Sequence, residues 1–513
     1  MTQRTASQSR RHSIKRADRA ARSRRLVMNA ACACALMWTA HAQATPPMSE
    51  PSVNAEPAED DSGTPPEADL AIKAQPTGLW TGFWNRSNML GDMGGLRSVL
   101  MNYGVTFGLQ ETSELLGNVS GGINHGFTYD GLTTATVTVD TQKAFGLVGG
   151  TFNASALQIH GRNLSQFNLG NLQTASGIEA DDTTRLWELW YQQSFLDNRF
   201  DVKVGQQSID QEFMVSLYSA TFVNTMFGWP AVPSYDMPAG GPAYPLSALG
   251  VRFRAKPSNA VTVLAGVYDG NPAGSGTGDP QLLNNHGTNF NLHNGALFIG
   301  EVQYAINQPS NGDLDYGTSQ GLPGTYKLGF WYNTEKFPDE AIDDGGLSLA
   351  DPNSSGNPAL HRGEYSVYAV VDQMLWRPNA DSPKSLGFFT RLMGAPGNRS
   401  LIEFSMNTGL VLKAPFASRE LDSAGISVGY VKVGSQVSAF DQATASFNGG
   451  FSPVRGSETV IEATYQYQVN PWLVLQPDAQ YVFNPGAGVV NPNNPTQKIK
   501  NELVLGVRAN ITF

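Results

Sequence analysis

The last thirteen residues of the chain, 501–513, read NELVLGVRANITF and alternate between apolar and polar side chains. Successive side chains of a β-strand point to opposite faces, so this stretch has one apolar and one polar face, with Val504 as the apolar exception on the polar face. Strands in soluble proteins are usually about 5–6 residues long, whereas a tilted strand needs roughly 9–11 residues to cross a bilayer. The stretch therefore predicts a membrane-crossing strand. Its apolar face carries Leu503, Leu505, Val507, Ala509, Ile511 and Phe513.

Length and composition agree with a large barrel. At 513 residues the chain is longer than most single soluble domains. Hydrophobic residues make up 41%, but no run of about 18 apolar residues follows the N-terminal region, so no membrane-spanning helix is predicted. The 54 glycines and the 10% aromatic content suit a barrel with a polar lumen.

Sixteen segments have strand character, and an even number is typical of single-chain bacterial barrels. Long connections mostly alternate with short ones, which is the pattern of loops at one end and turns at the other. Two connections depart from it, because 308–324 is long for a turn and 395–399 is short for a loop. The predicted fold is all-β, a 16-stranded antiparallel transmembrane β-barrel. The segments are 104–116, 126–140, 147–162, 184–196, 199–209, 247–255, 260–269, 293–307, 325–335, 362–376, 385–394, 400–413, 424–435, 457–469, 472–484 and 500–513.

The closing segment resembles the last strand of bacterial outer-membrane barrels, in which a C-terminal Phe is part of the assembly signal. That resemblance implies that barrel-assembly machinery recognises Phe513 and that the chain resides in the outer membrane as a multi-pass barrel.

The N-terminus has the pattern of a signal peptide. Nine basic residues precede an apolar stretch over 26–40, and Ala42-Gln43-Ala44 has the small–x–small form of a cleavage site. The segment SRRHSIK at 9–15 also resembles a twin-arginine signal. That route carries folded cargo, and a lipid-facing barrel cannot fold before it reaches lipid, so the general secretory route is favoured. Residues 1–44 are predicted to be the signal peptide.

Cleavage after residue 44 would change the chemistry of the chain. Cys32 and Cys34 are its two cysteines and both lie in this segment, so the mature chain is predicted to have no disulfide and no thiolate site. The formal net charge of −10 would become more negative once the basic segment is removed. This acidity excludes nucleic acid as a partner and disfavours a phosphate-attracting lumen.

Two further segments precede the barrel. Residues 45–77 are rich in Pro, Glu and Asp without apolar periodicity, which predicts a disordered periplasmic leader. Residues 78–103 form the predicted periplasmic helical segment, with a short amphipathic helix over 94–103 that serves as a plug or anchor. The barrel itself is predicted to occupy 104–513.

Alternation also predicts which side chains face the lumen, because a charge facing lipid at the bilayer midplane costs about 2–4 kcal/mol. Apolar Leu157 and Ile159 are expected to face lipid, which turns Gln158, His160 and Arg162 inward. The same reasoning places seven further charged or aromatic residues in the lumen. These are Glu188, Trp190, Arg252, Arg254, Glu301, Trp331 and Arg391.

Residues 186–193 of the predicted strand 184–196 are ambiguous, because Trp187 and Trp190 have opposite parity. Glu188 decides the assignment, since its carboxylate should not face lipid. Glu188 and Trp190 are therefore both predicted to face inward.

The third outer connection, 210–245, contains the sequence FGWPAVPSYDMPAGGPAYP, with five prolines. Proline removes a backbone donor and fixes φ, so this segment cannot extend the strand ladder. Aromatic residues on a loop tip indicate that the loop is packed against something. In sixteen-stranded porins the third loop folds into the barrel and sets its constriction; an ordered external cap is the alternative. The predicted constriction residues are Trp229, Tyr235, Asp236 and Tyr244.

The sequence does not predict an enzyme. H-E-x-x-H and P-loop motifs are missing from the sequence, and no catalytic residue and no cofactor are predicted. His286 and His293 share an outer loop with Asp269 and Asp279, and a metal site there stays open. Polar loops collect such residues in any case, so no metal is predicted.

From residue 78 to the C-terminus the chain resembles the carbohydrate-selective porins of the OprB family. The order and spacing of eight segments carry this resemblance, although Met93 stands where the family pattern favours Trp. The segments are GDMGGLRSVL (91–100), HGRNLS (160–165), RLWELWYQQSF (185–195), VGQQSIDQEFM (204–214), YPLSALGVR (244–252), VYDGNP (267–272), VDQMLW (371–376) and YQVNPWLVLQPDAQYVFNPG (467–486).

The resemblance implies passive, selective diffusion of monosaccharides or small oligosaccharides across the outer membrane. Sugars have hydroxyls that suit charged polar partners and C–H faces that suit aromatic rings, and the predicted lumen residues provide both. A general or other-solute porin is the alternative, and an outer-membrane enzyme or adhesin is a more distant one. The sequence leaves open which sugar passes and whether the protein is a monomer or a trimer.

Overall fold

The computed structural model describes residues 82–308, 321–379 and 382–513. The predicted signal peptide at 1–44 and the predicted leader at 45–77 lie outside the described residues. Among the described residues, no helix has the length and apolarity needed to cross a membrane.

Sixteen antiparallel strands close into a single barrel, as the sequence predicts, because the first strand pairs with the last. Both barrel termini lie at one end, here called the turn end, and the opposite end is called the loop end. A small hairpin, β16–β17, lies in the last connection at the loop end. The strands are β1 Val105–Gly122, β2 Gly126–Asp140, β3 Gly150–Gly161, β4 Thr183–Phe195, β5 Phe200–Gln207, β6 Ala248–Ser258, β7 Val261–Asp269, β8 Ala296–Ile306, β9 Gly324–Asp343, β10 Pro358–Trp376, β11 Ser385–Gly394, β12 Ile402–Lys413, β13 Ser423–Val433, β14 Ser457–Asn470, β15 Leu473–Phe483, β16 Val490–Asn491, β17 Asn494–Lys498 and β18 Lys500–Thr512.

The helices are short, apart from one in a connection at the loop end. The α-helices are α1 Leu96–Asn102, α2 Thr141–Phe145, α3 Thr225–Gly228, α4 Ala231–Asp236, α5 Pro280–Leu283 and α6 Ser435–Asn448. Single turns of 3₁₀-helix occur at Met93–Gly95, Ile209–Gln211, Ser219–Thr221, Pro238–Gly240 and Pro485–Ala487, and a π-turn at Ser165–Leu169.

The closing strand β18 shows how alternation produces the wall. Leu505 and Val507 are each 39% exposed on the outer face. Arg508 faces inward and forms an ion pair with Glu114 of β1 across the closing seam. Val504, the apolar exception, is fully buried in a cluster with residues of two lumen loops, which explains an apolar residue on the inner face.

One strand has the opposite orientation to the prediction. Leu157 and Ile159 of β3 face inward, where they pack with Tyr244 and Trp187, while Arg162 is exposed. The prediction assumed that the lumen holds water, so that apolar residues must face lipid. Here protein loops fill this sector of the lumen, and apolar residues are buried on the inside.

A β-bulge resolves the ambiguity of β4. The register with β3 shifts between the pairs Ser155–Glu188 and Ala156–Leu186, so Trp187 is the extra residue. Trp187 is therefore buried inside with the loop cluster, and Glu188 and Trp190 also point inward.

The N-terminal segment is attached to the turn end of the barrel at the seam, where β1 pairs with β18. Helix α1 lies where a short helix is predicted. Arg97 of this helix donates to the backbone oxygens of Phe107 on β1 and of Phe513, each at 2.8 Å. Met89 N donates to Thr512 O at 2.8 Å, so the segment joins the first and last strands. Burial lowers the pKa of the Arg97 guanidinium from its ordinary value.

We expect Arg97→Ala to lower the barrel's unfolding temperature, because two charge-assisted hydrogen bonds across the seam are lost, at a cost of about 1–3 kcal/mol. The measurement is the temperature at which the folded band disappears from a heat-modifiability gel. Lys143→Ala is the matched control, since Lys143 is an exposed basic residue at the same end. An unchanged transition in Arg97→Ala would show that the seam does not depend on this residue.

Candidate functional site

Loop 3, the connection 208–247 between β5 and β6, lies inside the barrel. Its backbone contacts inward-facing side chains from strands all around the wall, which an external cap could not reach together. Carboxylates of four strands accept hydrogen bonds from its N–H groups. They are Glu188 from Ser208 (3.0 Å), Glu301 from Met214 (2.8 Å), Asp372 from Leu217 (3.1 Å) and Glu462 from Val223 (2.6 Å).

Arg391 of β11 anchors the same loop through its carbonyls. Its guanidinium donates to the backbone oxygens of Met226 at 2.5 Å, Gly228 at 2.7 Å and Met214 at 3.1 Å. The side chain is 1% exposed, and both terminal nitrogens of its guanidinium donate to the loop. Buried backbone carbonyls need donors, and this arginine supplies three of them at one point.

The aromatic residues of loop 3 hold it against its surroundings. Trp229 donates through Nε1 to Gly240 O at 2.9 Å, within the loop. The hydroxyls of Tyr235 and Tyr244 donate to Leu172 O (2.5 Å) and Ile178 O (2.9 Å) in loop 2, the connection 162–182. Asp236 accepts from Ile402 N on β12 at 3.1 Å. All four side chains are buried, so they stabilise the shape of the loop rather than face an open channel.

Asp210 fixes the start of the loop to its end. Its carboxylate accepts from Ser208 Oγ at 2.6 Å and from Tyr244 N at 3.0 Å. Burial raises the pKa of the Asp210 carboxyl to about 6, while these hydrogen bonds act in the opposite direction.

Several inward-facing side chains near the turn end of the barrel keep solvent access. We call five of them, on β4, β6, β8 and β9, the turn-side polar face. They are Trp190, Gln192, Arg254, Gln303 and Lys327, each of intermediate exposure.

This face is held in shape by a charge network. Arg252 forms ion pairs with Asp201 and with Glu212 of loop 3, and donates to Gln192 Oε1 at 2.9 Å. Lys203 also pairs with Glu212. Arg254 Nε lies 2.5 Å from Asp201 Oδ2, but 28% of its side chain is exposed, so part of the guanidinium faces the lumen.

Trp190 is the aromatic member of the face. The Lys203 Nζ lies 4.3 Å from the centroid of its ring, a cation–π distance that fixes the indole against the wall. Gln303 donates to Glu301 at 2.7 Å and Lys327 donates to Val215 O of loop 3 at 2.7 Å. The face therefore offers amide, guanidinium and indole groups directly beside the loop.

The predicted lumen residues thus fall into three groups. Trp190 and Arg254 keep partial exposure on the turn-side polar face, and Arg252 lies behind them in the charge network. Four others are at most 5% exposed and are covered by loop 3. The prediction that these four residues contact the solute is therefore corrected. They are Glu188, Glu301, Trp331 and Arg391.

Arg162 forms the third group, and its prediction is wrong. It lies just beyond β3 at the loop end, where its guanidinium carbon is 4.5 Å from the centroid of the exposed Phe167 ring. The reversed orientation of β3 removes the reason for placing it in the lumen.

Several important residues were missed by sequence reasoning. Asp201 and Lys203 alternate with Val202 and Val204, and this signal could have placed both in the lumen. Glu212 has no such signal, because it lies in a loop without periodicity.

The histidines of the connection 270–295 show no metal centre. His286 Nδ1 lies 3.3 Å from Thr184 O, and Asp279 caps helix α5 by accepting from Gln281 N. No group of three or more His, Cys, Asp or Glu residues suited to a metal occurs in the part of the chain that the structure describes.

A family match decides what this barrel is. Residues 124–513 match the family model described as carbohydrate-selective porin, OprB family. The chain belongs to the OprB family. It is a carbohydrate-selective channel of the outer membrane, as the sequence resemblance implies.

Individual relatives agree with this assignment. Porin B of Pseudomonas aeruginosa is 28% identical over 449 residues, covering 84% of this chain and 92% of the relative. The putative porin QuiX of Acinetobacter baylyi is 26% identical over 451 residues, covering 82% and 93%. The high-pH structure of Pseudomonas putida OprB superposes with a TM-score of 0.71 at 24% identity, covering 84% of this porin and 99% of that chain, and supports the fold.

Proposed function

We propose that this porin passes neutral monosaccharides or small oligosaccharides, and that the turn-side polar face beside loop 3 selects them. The single observation behind the proposal is the grouping of Trp190 and Gln192 on β4 with Arg254 on β6, the two strands on either side of β5, with partial exposure. Hydrogen-bonding groups beside an indole ring match the hydroxyls and the C–H face of a sugar.

Charge supports neutral solutes over ions. The cations Arg252, Arg254 and Lys203 are paired with the carboxylates of Asp201 and Glu212. Opposite charges held within hydrogen-bonding distance leave a weak net field, whereas a ring of one sign would concentrate one kind of ion. The proposed transport is passive diffusion through hydrogen-bond exchange, without covalent chemistry or a cofactor.

Liposome swelling tests the proposal directly. Purified porin is reconstituted and swelling rates are compared for glucose, a disaccharide, a neutral amino acid and phosphate. We expect sugars to enter faster than the other solutes of similar size. Equal rates for sugars and amino acids would leave a general diffusion porin as the correct description.

Arg254→Ala is expected to weaken sugar binding in the lumen, because a hydrogen bond to a charged donor is worth about 1.5–3 kcal/mol. The half-saturation concentration for sugar uptake should rise by roughly tenfold or more. Arg162→Ala is the matched control and should leave uptake unchanged, since Arg162 lies at the loop end beside Phe167, away from the turn-side polar face. Equal effects of the two substitutions would contradict the assignment of Arg254.

Export and assembly complete the proposal. Residues 1–44 direct secretion and are removed, residues 45–77 remain as a periplasmic leader, and the turn end faces the periplasm. Phe513 serves the barrel-assembly machinery as the C-terminal signal. This role is supported by its position at the end of the strand that closes the barrel.

A further inference from the structure

A second polar region lies at the turn end of the lumen, across from Trp190 and Arg254. Lys413 of β12, Ser423 of β13 and Gln466 of β14 are register partners in that order, and each has intermediate exposure. We call these three residues the lysine row. In the closed order of sixteen strands, β12 is eight strands from β4 and β14 is eight strands from β6, so the row stands on the opposite wall of the barrel.

Contacts with loop 3 show that the lysine row faces inward. The Lys413 Nζ lies 5.9 Å from the centroid of the Tyr218 ring, and Gln466 Nε2 donates to Thr221 O at 3.4 Å. Ser423 stands between them, and side chains that are directly paired across antiparallel strands share one face of the sheet. All three side chains therefore lie in the lumen beside loop 3.

Lys413 carries a charge that no counter-ion of the protein balances. Its side chain forms no ion pair and no hydrogen bond with any residue that the structure describes. On the opposite wall, by contrast, Arg254 and Lys203 are paired with carboxylates. An ammonium group has three donors, so Lys413 has a full set of charge-assisted hydrogen bonds to offer to an anionic group in the lumen.

Two carboxylates of this region are engaged by other groups. Asp372 accepts from three donors of loop 3, at 2.6, 3.1 and 3.3 Å. Asp422 accepts from Arg419 at 2.8 Å and from the Tyr465 hydroxyl at 2.6 Å. Neither of them forms an ion pair with Lys413, so the ammonium is left to a solute.

The surroundings of Lys413 suit a ligand with several hydroxyls. The Ser423 hydroxyl donates and accepts, and the Gln466 amide has an acceptor oxygen and a second N–H besides the one that contacts Thr221 O. Leu217 of loop 3, next to Tyr218 in the chain, is 59% exposed and offers an apolar surface to a C–H face. The region thus combines one cation, two neutral polar groups and one apolar side chain.

We propose that the lysine row binds sugars that carry a carboxylate, such as uronic or aldonic acids, as a second class of solute. The carboxylate accepts from Lys413, the hydroxyls exchange hydrogen bonds with Ser423 and Gln466, and Leu217 contacts a C–H face. A neutral sugar lacks the partner for Lys413, and a simple anion lacks the hydroxyls for the other two residues. This inference goes beyond the proposed function, because it concerns another wall of the lumen and another class of solute.

Block of the ion current in single reconstituted channels tests the proposal with three solutes. Glucuronate differs from glucose by a carboxylate, and cyclohexanecarboxylate has the charge and the ring without the hydroxyls. We expect glucuronate to give a saturable block at a lower concentration than either of the other two. Equal block by glucuronate and cyclohexanecarboxylate would show an unspecific anion site and overturn the proposal.

Lys413→Met removes the ammonium and keeps a side chain of similar length. The half-blocking concentration of glucuronate should rise roughly tenfold, because a charge-assisted hydrogen bond is lost, while the glucose block stays the same. Lys143→Met is the matched control, since it removes an exposed lysine at the same end of the barrel. A glucuronate block that is unchanged in Lys413→Met, or equally weakened in Lys143→Met, would overturn the proposal.

The salt dependence of the block gives a second measurement that needs only the wild-type protein. Raising the salt from about 0.1 M to about 1 M shortens the Debye length from about 10 Å to about 3 Å. The half-blocking concentration of glucuronate should therefore rise, whereas that of glucose should not. A block by glucuronate without a block by glucose would remove only the neutral-sugar proposal. A glucuronate block that is no tighter than the glucose block, or is independent of salt, would remove only this one.

Discussion

Replacing residues 229–241 with a short glycine–serine linker is expected to raise the single-channel conductance severalfold and to flatten the preference among sugars of different size. This segment is the most deeply packed part of loop 3, where Trp229 and Tyr235 are buried against their surroundings. Its removal takes protein out of the lumen, while the strands that close the barrel remain untouched. Single-channel recording and swelling rates for a series of oligosaccharides provide the measurement.

A matched deletion separates pore widening from general damage. Removing residues 350–355, in the connection between β9 and β10 at the loop end, shortens a loop that forms no hydrogen bond with loop 3 among the described residues. This control should keep the wild-type conductance. If the loop 3 variant also keeps it, while folding normally by heat-modifiability, then loop 3 does not set the constriction.

Arg391→Met is expected to free loop 3 without deleting any of it. The carbonyls of Met214, Met226 and Gly228 would lose their shared donor, and each buried acceptor left unsatisfied costs about 1–3 kcal/mol. Because the barrel wall keeps its own hydrogen bonds, we expect the loop to fluctuate rather than the barrel to unfold. Open-channel current noise should therefore increase strongly, with a higher mean conductance.

Two further substitutions provide an intermediate variant and a control for this experiment. Arg391→Lys should have an intermediate effect, because a single ammonium cannot reproduce the fork that reaches three carbonyls. Arg362→Met removes an exposed arginine near the loop end and should leave the noise unchanged. Quiet channels in Arg391→Met would show that the wall carboxylates alone can hold the loop.

The barrel could be predicted from sequence because the alternation of apolar and polar side chains is visible within each strand. All sixteen predicted segments coincide with barrel strands. The main errors in length are at β1 and β9, which extend further towards the loop end than the predicted segments do. Because Arg252 and Glu301 alternate with apolar residues that face lipid, both were predicted on the inner face, and the structure places them there. The bulge at Trp187 was missed, but the carboxylate of Glu188 was enough to orient the strand.

The candidate site was harder to predict, because parity gives the face of a strand and not what lies against that face. Arg391 and Trp331 were correctly directed inward, yet loop 3 covers both and removes them from solute contact. The reversed β3 has the same cause, since Leu157 and Ile159 pack against loops that fill the lumen. Long-range packing of this kind leaves no periodic signal in the chain.

The most direct test of the account is the block of ion current by sugar in single reconstituted channels. If the turn-side polar face binds sugars during passage, adding a neutral sugar should reduce the current of wild type in a saturable way. Arg254→Ala should shift the half-blocking concentration upwards, and a neutral amino acid of similar size should give no saturable block. A current that falls only in proportion to solution viscosity, or equally with sugar and amino acid, would contradict selection at this face.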